Sequence, residues 1–276
     1  NSPQNRTQDS TQHLTLTLSS QERGQAAKLS KKDIVFEDGS LLLVNKSAGI
    51  NVHPGDHKTT EVSLIQQVHD YLGEKLNSLT FKPSLVHRID RDTSGLVMVA
   101  KQKDALVHMS AAFQTKDALQ KTYFALIAGK LSRNEGTIKK ALLRKEDAKN
   151  ENKVIVSEKG QEAITHYKVL EEFEVKIGEQ TQIISAIEVT IETGRMHQIR
   201  VHMAHIGNPI IGDKAYGDKK LNGYFAKNYG ISRQMLHAWK LSFFHPKTNK
   251  KMNLIARFKE DMEGLVVKLR ESKNKF

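Results

Sequence analysis

From residue 33 onward the chain is punctuated by short, β-prone apolar runs that often follow one another directly, with helical stretches only in places. A doubly wound fold needs regular strand–helix alternation. Its lack points instead to an α+β domain with a mixed, largely antiparallel sheet. Residues 33–37 and 41–45 are split by Glu37-Asp38-Gly39-Ser40, an acidic-Gly step that predicts a hairpin. Residues 94–101, 121–129, 163–171, 183–192, 236–244 and 252–258 read as further strands. Within 183–192, Ile187, Val189 and Ile191 alternate with Glu188 and Thr190. Four helices are expected. One covers 60–72, with Thr60 as N-cap and Val62, Ile65, Val68, His69 and Leu72 on one face. A second covers 104–115, opened by Asp104, with Leu106, Met109, Ala112 and Phe113 inward. A third covers 197–206, closed by Gly207, and the last covers 261–269. The lysine-rich stretch 139–153 reads as a long exposed insertion. Residues 1–32, polar and poor in apolar side chains, read as a disordered tail or linker ahead of one domain over 33–276.

Composition narrows the function. Lys plus Arg number 43 against 31 Asp plus Glu, a formal charge of +12. That is the electrostatic footprint of a nucleic-acid binder, although a basic surface also serves solubility alone. The chain has no cysteine, which excludes disulfides, thiolate zinc sites and iron–sulfur clusters. No apolar run approaches the roughly 20 residues of a membrane helix, and the first thirty residues lack a secretory core. The expectation is a cytoplasmic protein with no membrane partner. Phosphate-cradling loops, dinucleotide-binding glycine patterns and the nucleophile elbow of esterases are all missing from the sequence.

Two segments concentrate polar chemistry. In Val86-His87-Arg88-Ile89-Asp90-Arg91-Asp92-Thr93-Ser94-Gly95-Leu96 a charged stretch runs straight into an apolar strand. Such a loop sits at the rim of a sheet, where binding and catalytic groups concentrate. A carboxylate flanked by guanidinium groups can serve as nucleophile or base. A surface salt-bridge cluster ending in a Thr-Ser-Gly turn would use the same residues. In Glu192-Thr193-Gly194-Arg195-Met196-His197-Gln198-Ile199-Arg200-Val201-His202 a strand ends, glycine permits a turn and a helix begins, a place where an anion can dock. An ordinary basic helix terminus fits that pattern as well. The spacing of His197, His202 and His205 does not match the paired-histidine zinc signature, so no metal is expected. Tyr123, early in a strand, is either a core tyrosine or a ring for a base to stack on.

Taken in order, these segments resemble the RluA family of pseudouridine synthases, and within it the ribosomal large-subunit (RluC-like) type. The resemblance is carried by His87-Arg88-Ile89-Asp90-x-x-Thr93-Ser94-Gly95-Leu96 and by Thr193-Gly194-Arg195-x-His197-Gln198-Ile199-Arg200-Val201-His202. Gly207-x-Pro209-Ile210, Gly212-Asp213-x-x-Tyr216-Gly217, Lys121-x-Tyr123 and Leu236-His237-Ala238 add to it. It spans about residues 33–273. Two positions depart from the family pattern: Ile89 stands for Leu, and Ser47 stands where relatives usually carry Pro, a change expected to soften a turn. The small S4-type RNA-binding domain that relatives often carry at the N-terminus is not recognisable in residues 1–32.

The resemblance implies the pseudouridine synthase fold with a central RNA-binding cleft, and a reaction that needs neither metal nor cofactor. Asp90 is implied as the catalytic aspartate, Arg200 as its partner, and Tyr123 as the ring that stacks on uracil and assists removal of the C5 proton. RNA contacts are implied at Arg88, Thr93, Arg195, His197 and Gln198, with Arg88 filling the space left by the extruded base. The expected substrate is large-subunit (23S) ribosomal RNA, acted on by a monomer. Transfer RNA, or both RNAs, is the first alternative. A non-catalytic RNA-binding protein and a metal-dependent hydrolase built on the His197–His205 cluster are the others.

Overall fold

The computed structural model describes residues 28–54, 61–74, 80–115, 118–146 and 152–273. A hairpin of β1 (Ile34–Glu37) and β2 (Leu41–Lys46) opens the fold, followed by α1 (Leu64–Leu72), β3 (Ser84–Leu85), β4 (Ser94–Ala100) and α2 (Lys103–Gln114). Next come β5 (Leu119–Ala128), β6 (Glu135–Lys139), β7 (Leu142–Glu146), β8 (Asn152–Val156), β9 (Ile164–Ile177) and β10 (Gln180–Ile191). The chain ends through α3 (Gln198–His205), α4 (Lys219–Tyr229), β11 (Leu236–Phe244), β12 (Lys251–Ile255) and α5 (Glu260–Lys273). Ten strands form one sheet in the order β1-β2-β4-β11-β5-β10-β9-β6, with β12 on β11 and β3 on β4. All its pairings but one are antiparallel. The exception, β4 beside β11, matches His237 to Ser94 and Ala238 to Gly95. The expected α+β class with a mixed, largely antiparallel sheet is what the chain forms.

Both faces of the first half-sheet are covered, so β2 and β4 are buried along their whole length rather than in alternation. All seven residues of β4 are buried. On one face of the first half-sheet, Leu41, Leu43, Leu96 and Met98 pack against Met109 of α2. On the other, Leu42, Val44, Val97 and Val99 meet Leu64, Val68 and Leu72 of α1. The second half-sheet repeats the scheme. Phe124, Phe173 and Ile184 pack against Phe225 of α4 and Met262 and Leu265 of α5. Ala125, Ile187 and Val189 pack on the opposite face against Ile199 and Met203 of α3. The alternation expected at residues 187–191 is present, since α3 covers only the face that Ile187, Val189 and Ile191 present.

Several expectations are corrected. The first helix begins at Leu64, because Ser63 is its N-cap: the backbone N–H and hydroxyl of Ser63 donate to Gln66 Oε1 at 2.9 and 2.8 Å, a capping box. Thr60 lies outside the described residues, as do residues 1–27 of the tail expected over 1–32, whose last two residues begin a short 3-10 turn, Lys31–Asp33. The lysine-rich stretch is not a plain loop. It holds the end of β6 and the antiparallel ribbon β7–β8, whose Leu142 and Val154 pack on Val201 of α3. Helix α4 was not anticipated, although Asp218, accepting from Leu221 N–H, and Gly230, at φ +71°, cap it clearly.

Two half-sheets meet at β4 and β11, and Gly95 makes that meeting possible. It sits at φ +113°, and a Cβ there would lie 2.3 Å from the Ala238 carbonyl oxygen. We expect Gly95→Ala to cost about 3 kcal/mol or more, read as a large drop in the urea midpoint. An unchanged midpoint would mean the seam is not close-packed.

Candidate active site

The loop from His87 to Thr93 enters β4 at the seam, and buried groups fix its backbone. His87 Nε2 accepts from Met98 N–H at 3.0 Å, and its ring stacks on Phe113 with centroids 4.3 Å apart. Burial pushes this imidazole down to about 3, so it stays a neutral acceptor. Beneath the loop lies Lys46, 1% exposed, whose ammonium donates to the carbonyls of Ser47, Ile50 and Arg91 at 2.9, 2.9 and 2.8 Å. Burial pushes it down to about 7, against the pull of Asp92 and Asp90. Thr93 N–H closes the turn on the Asp90 carbonyl at 3.1 Å. The backbone on both sides of Asp90 is therefore pinned, while its side chain stays 25% exposed. Lys46 is not singled out in the sequence, where it falls just past the strand read over 41–45, at the start of a loop.

Arg200 reaches Asp90 from α3, 110 positions along the chain. Its Nη1 donates to Asp90 Oδ2 at 3.0 Å. Its Nε and Nη2 donate to Asp213 Oδ2 and Oδ1 at 2.7 and 2.9 Å, a bidentate fork. Burial works against the guanidinium charge, but Asp213 and Asp90 more than offset it, so Arg200 is a fixed cation. Asp213, 1% exposed, also accepts from the N–H groups of Ala215 and Tyr216. With Asp213 taking two donors, the third is aimed at Asp90, and among the described residues no donor meets Asp90 Oδ1. Asp213 lies in a segment legible as a motif, Gly212-Asp213-x-x-Tyr216-Gly217, but nothing in the sequence pairs it with Arg200.

Tyr123, on β5, lines a narrow pocket of about 70 Å³ together with Arg88, Asp90, Arg195, His197 and Arg200. Burial, with the charge of Asp90 adding to it, raises the Tyr123 phenol, so the ring is held neutral and is suited to stacking rather than to accepting a proton. The pocket opens into a wider groove of about 630 Å³ that also contains Arg88 and Asp90. Leu142, Leu143, Arg144 and Val154 of the ribbon form one wall, and Lys159, Gly160 and Arg195 continue it. The other residues expected at RNA divide into two groups. Arg88 and Arg195 are exposed on the groove, Arg195 donating to the Glu162 carbonyl at 3.1 Å. His197 sits beside Asp90, its Nε2 3.9 Å from Oδ2. Thr93 and Gln198 instead turn inward. Thr93 is buried and accepts from Gln234 at 3.3 Å. Gln198, 3% exposed, accepts from Arg195 N–H and the Thr193 hydroxyl and donates to the Ile164 carbonyl and Thr165 Oγ1. Its amide is fully engaged in holding the turn before α3. The histidines 197, 202 and 205 do not converge: His202 is buried between Thr165 Oγ1 and the Lys140 carbonyl. Among the described residues no group of three His, Asp or Glu side chains is placed to hold a metal ion, and no helix is long and apolar enough to cross a membrane.

An aspartate paired with a buried arginine at the end of a basic groove is an arrangement suited to carboxylate chemistry on a nucleic acid. The chain belongs to the RNA pseudouridylate synthase family, whose model matches residues 40–205, from β2 to the end of α3 and including Asp90, Tyr123 and Arg200. It is a pseudouridine synthase with RNA as its substrate. Over 266 residues it is 36% identical to the ribosomal large subunit pseudouridine synthase C of Vibrio vulnificus, covering 94% of this chain and 78% of that protein. Over 240 residues it is 37% identical to the tRNA pseudouridine synthase C of Yersinia pestis, covering 85% of this chain and 89% of that one. The solved structure of human RNA pseudouridylate synthase domain containing 4 shares the fold, with a TM-score of 0.65 at 23% identity over 87% of this chain and 93% of that one.

If Asp213 sets the aim of Arg200, Asp213→Asn should slow single-turnover pseudouridine formation about 10²-fold, the scale of an ångström-level misplacement. RNA affinity should change little. Rapid-quench tritium release from 5-tritiated uridine and filter binding read the two separately, and an unaltered rate would show that Asp213 has no hold on the site.

Proposed function

We propose that this chain isomerises specific uridines of large-subunit ribosomal RNA in the cytoplasm, as a monomer, with residues 33–276 acting as one catalytic unit. The observation that carries the catalytic assignment is the 3.0 Å contact of Arg200 with Asp90 where the narrow pocket meets the basic groove. The target nucleotide leaves its stack at a cost of a few kcal/mol and enters the pocket from the groove. Its uracil lies against Tyr123, while Arg88 fills the space vacated in the RNA. The open oxygen of Asp90 faces the ribose and drives detachment of N1 from C1′. The uracil turns within the pocket and C5 bonds to C1′. The C5 proton passes to solvent and N1 takes one from solvent, so no atoms are added or removed overall. Arg195, Lys159 and the ribbon wall hold flanking phosphates.

Support for the ribosomal substrate comes from the Vibrio vulnificus relative, which aligns with nearly the whole chain. Transfer RNA is the second reading, favoured by the Yersinia pestis relative, nearly all of whose length this chain covers. The single-unit reading is supported by the ion pair of Lys259 with Asp33 at 2.8 Å, which ties the start of the described domain to its end. The monomer is supported by the scatter of exposed apolar side chains: Val107, Leu170, Phe244, Ile255 and Val267 lie on different elements.

Asp90→Asn keeps the shape and removes the charge. We expect it to reduce tritium release about a thousandfold or more, and release at the wild-type rate would refute the role given to Asp90. Comparing pseudouridine maps of both RNA pools from cells with and without the protein decides the substrate. Loss of sites in the 23S pool is expected; loss confined to transfer RNA would move the assignment to the second reading.

A further inference from the structure

His197 carries a combination of features that its position in a basic turn does not require. It is one of two non-glycine residues at positive φ among the described residues, at +54°. A left-handed backbone at such a residue is sparsely populated and persists only where the surroundings impose it. Here it turns the ring back from the start of α3 toward Asp90 and the pocket. The side chain is 17% exposed and meets the Tyr216 ring edge-on, with centroids 5.6 Å apart.

The hydrogen bonds around Tyr216 favour one tautomer of His197. Tyr216 Oη accepts from Val154 N–H of the ribbon at 3.0 Å and lies 2.8 Å from His197 Nδ1. Its remaining polar contact among the described residues is that nitrogen, and the arrangement that keeps the phenol proton bonded within the protein donates it to Nδ1. The imidazole proton is then on Nε2, the nitrogen 3.9 Å from Asp90 Oδ2 and directed at the pocket. The charged groups around the ring are Asp90, Asp213, Arg200 and Arg88. Burial, the largest influence, and the two guanidinium groups keep the ring neutral against the pull of the two carboxylates.

We propose that His197 is a neutral hydrogen-bond donor to an acceptor oxygen of the flipped uridine, beside the reacting carboxylate, and that Tyr216 is the positioning residue that fixes its tautomer and links it to the ribbon wall. This rests on the reading of Asp90 as the catalytic carboxylate. Because the contact forms only after the nucleotide has been extruded, its loss is read mainly in the rate from the bound complex to product. Affinity, carried mostly by phosphate contacts, is left nearly intact.

The test combines spectroscopy and kinetics on the full chain. A two-bond proton–nitrogen correlation of ¹⁵N-histidine-labelled protein reports the tautomer without RNA. Protonation at Nε2 is expected for His197 in the wild type and a mixture in Tyr216→Phe; protonation at Nδ1 in the wild type overturns the proposal. In single-turnover tritium release, His197→Ala should lose about 10- to 100-fold in rate, the effect of a removed hydrogen bond, with RNA affinity changed less than about twofold. His197→Gln, which places an N–H near the Nε2 position, should recover most of the rate. An unchanged rate in His197→Ala, or no difference between Ala and Gln, overturns the donor role. Asp90→Asn is assayed alongside. If it is as active as the wild type, the reading of Asp90 fails, while the spectrum still decides the tautomer on its own.

Discussion

The site depends on one buried cation. A guanidinium as sequestered as that of Arg200 is tolerated only when its donors are met, and removing one partner of such a pair typically costs about 3–5 kcal/mol. Asp213, thirteen positions away, meets two donors in a fork, which orients the plane of the group. The third donor is then aimed, and Asp90 is at its end. The same interaction that makes Arg200 bearable in the interior leaves Asp90 ionic on one oxygen and unengaged on the other. A lysine could not do this, since a single ammonium lacks the planar fork that holds one carboxylate while pointing at another.

The sheet brings these residues together. Asp90 precedes β4, Tyr123 lies on β5, and Arg200 and Asp213 follow β10. Strands β4 and β5 are not neighbours; β11 lies between them, parallel to one and antiparallel to the other. The seam at Gly95 and Ala238 lets β11 approach β4 closely enough for the two half-sheets to behave as one, with the loop of Asp90 opening directly over it. The ribbon β7–β8 then stands on α3 and walls the groove, held to the site through Tyr216.

Much of the architecture was legible in the sequence, because covered strands and capped helices leave local signatures. The hairpin at Asp38-Gly39 is one case, and the strand Leu236–Phe244 ends where its apolar pattern ends. The two long polar segments stand out in the sequence because charge sits directly before or after a buried strand, but their residues alone fit a surface salt-bridge cluster or a basic helix terminus as well, and the resemblance is what singles them out. What was not legible is pairing at a distance. Nothing local tells Gln198, folded inward on Ile164 and Thr165, from His197, turned outward one residue earlier; the difference is a left-handed backbone at a residue that is not glycine. Lys46 was passed over because a buried lysine is rare, and its three carbonyl partners come from loops that only the fold assembles. The lysine-rich stretch hides its ribbon because charge surrounds Leu142, and Val154, which seats the ribbon on α3 with it, lies on the partner strand twelve positions on.

The mechanism turns on where the target nucleotide lies relative to one carboxylate. A crystal structure of the protein bound to RNA carrying, at the target, a uridine analogue that binds without turning over would measure this directly. The nucleotide should be out of its stack, its C1′ within about 3.5 Å of Asp90, with Arg200 still on the opposite carboxylate oxygen and the base against Tyr123. A target nucleotide left stacked in the RNA, or seated in the groove away from Asp90, would contradict the account.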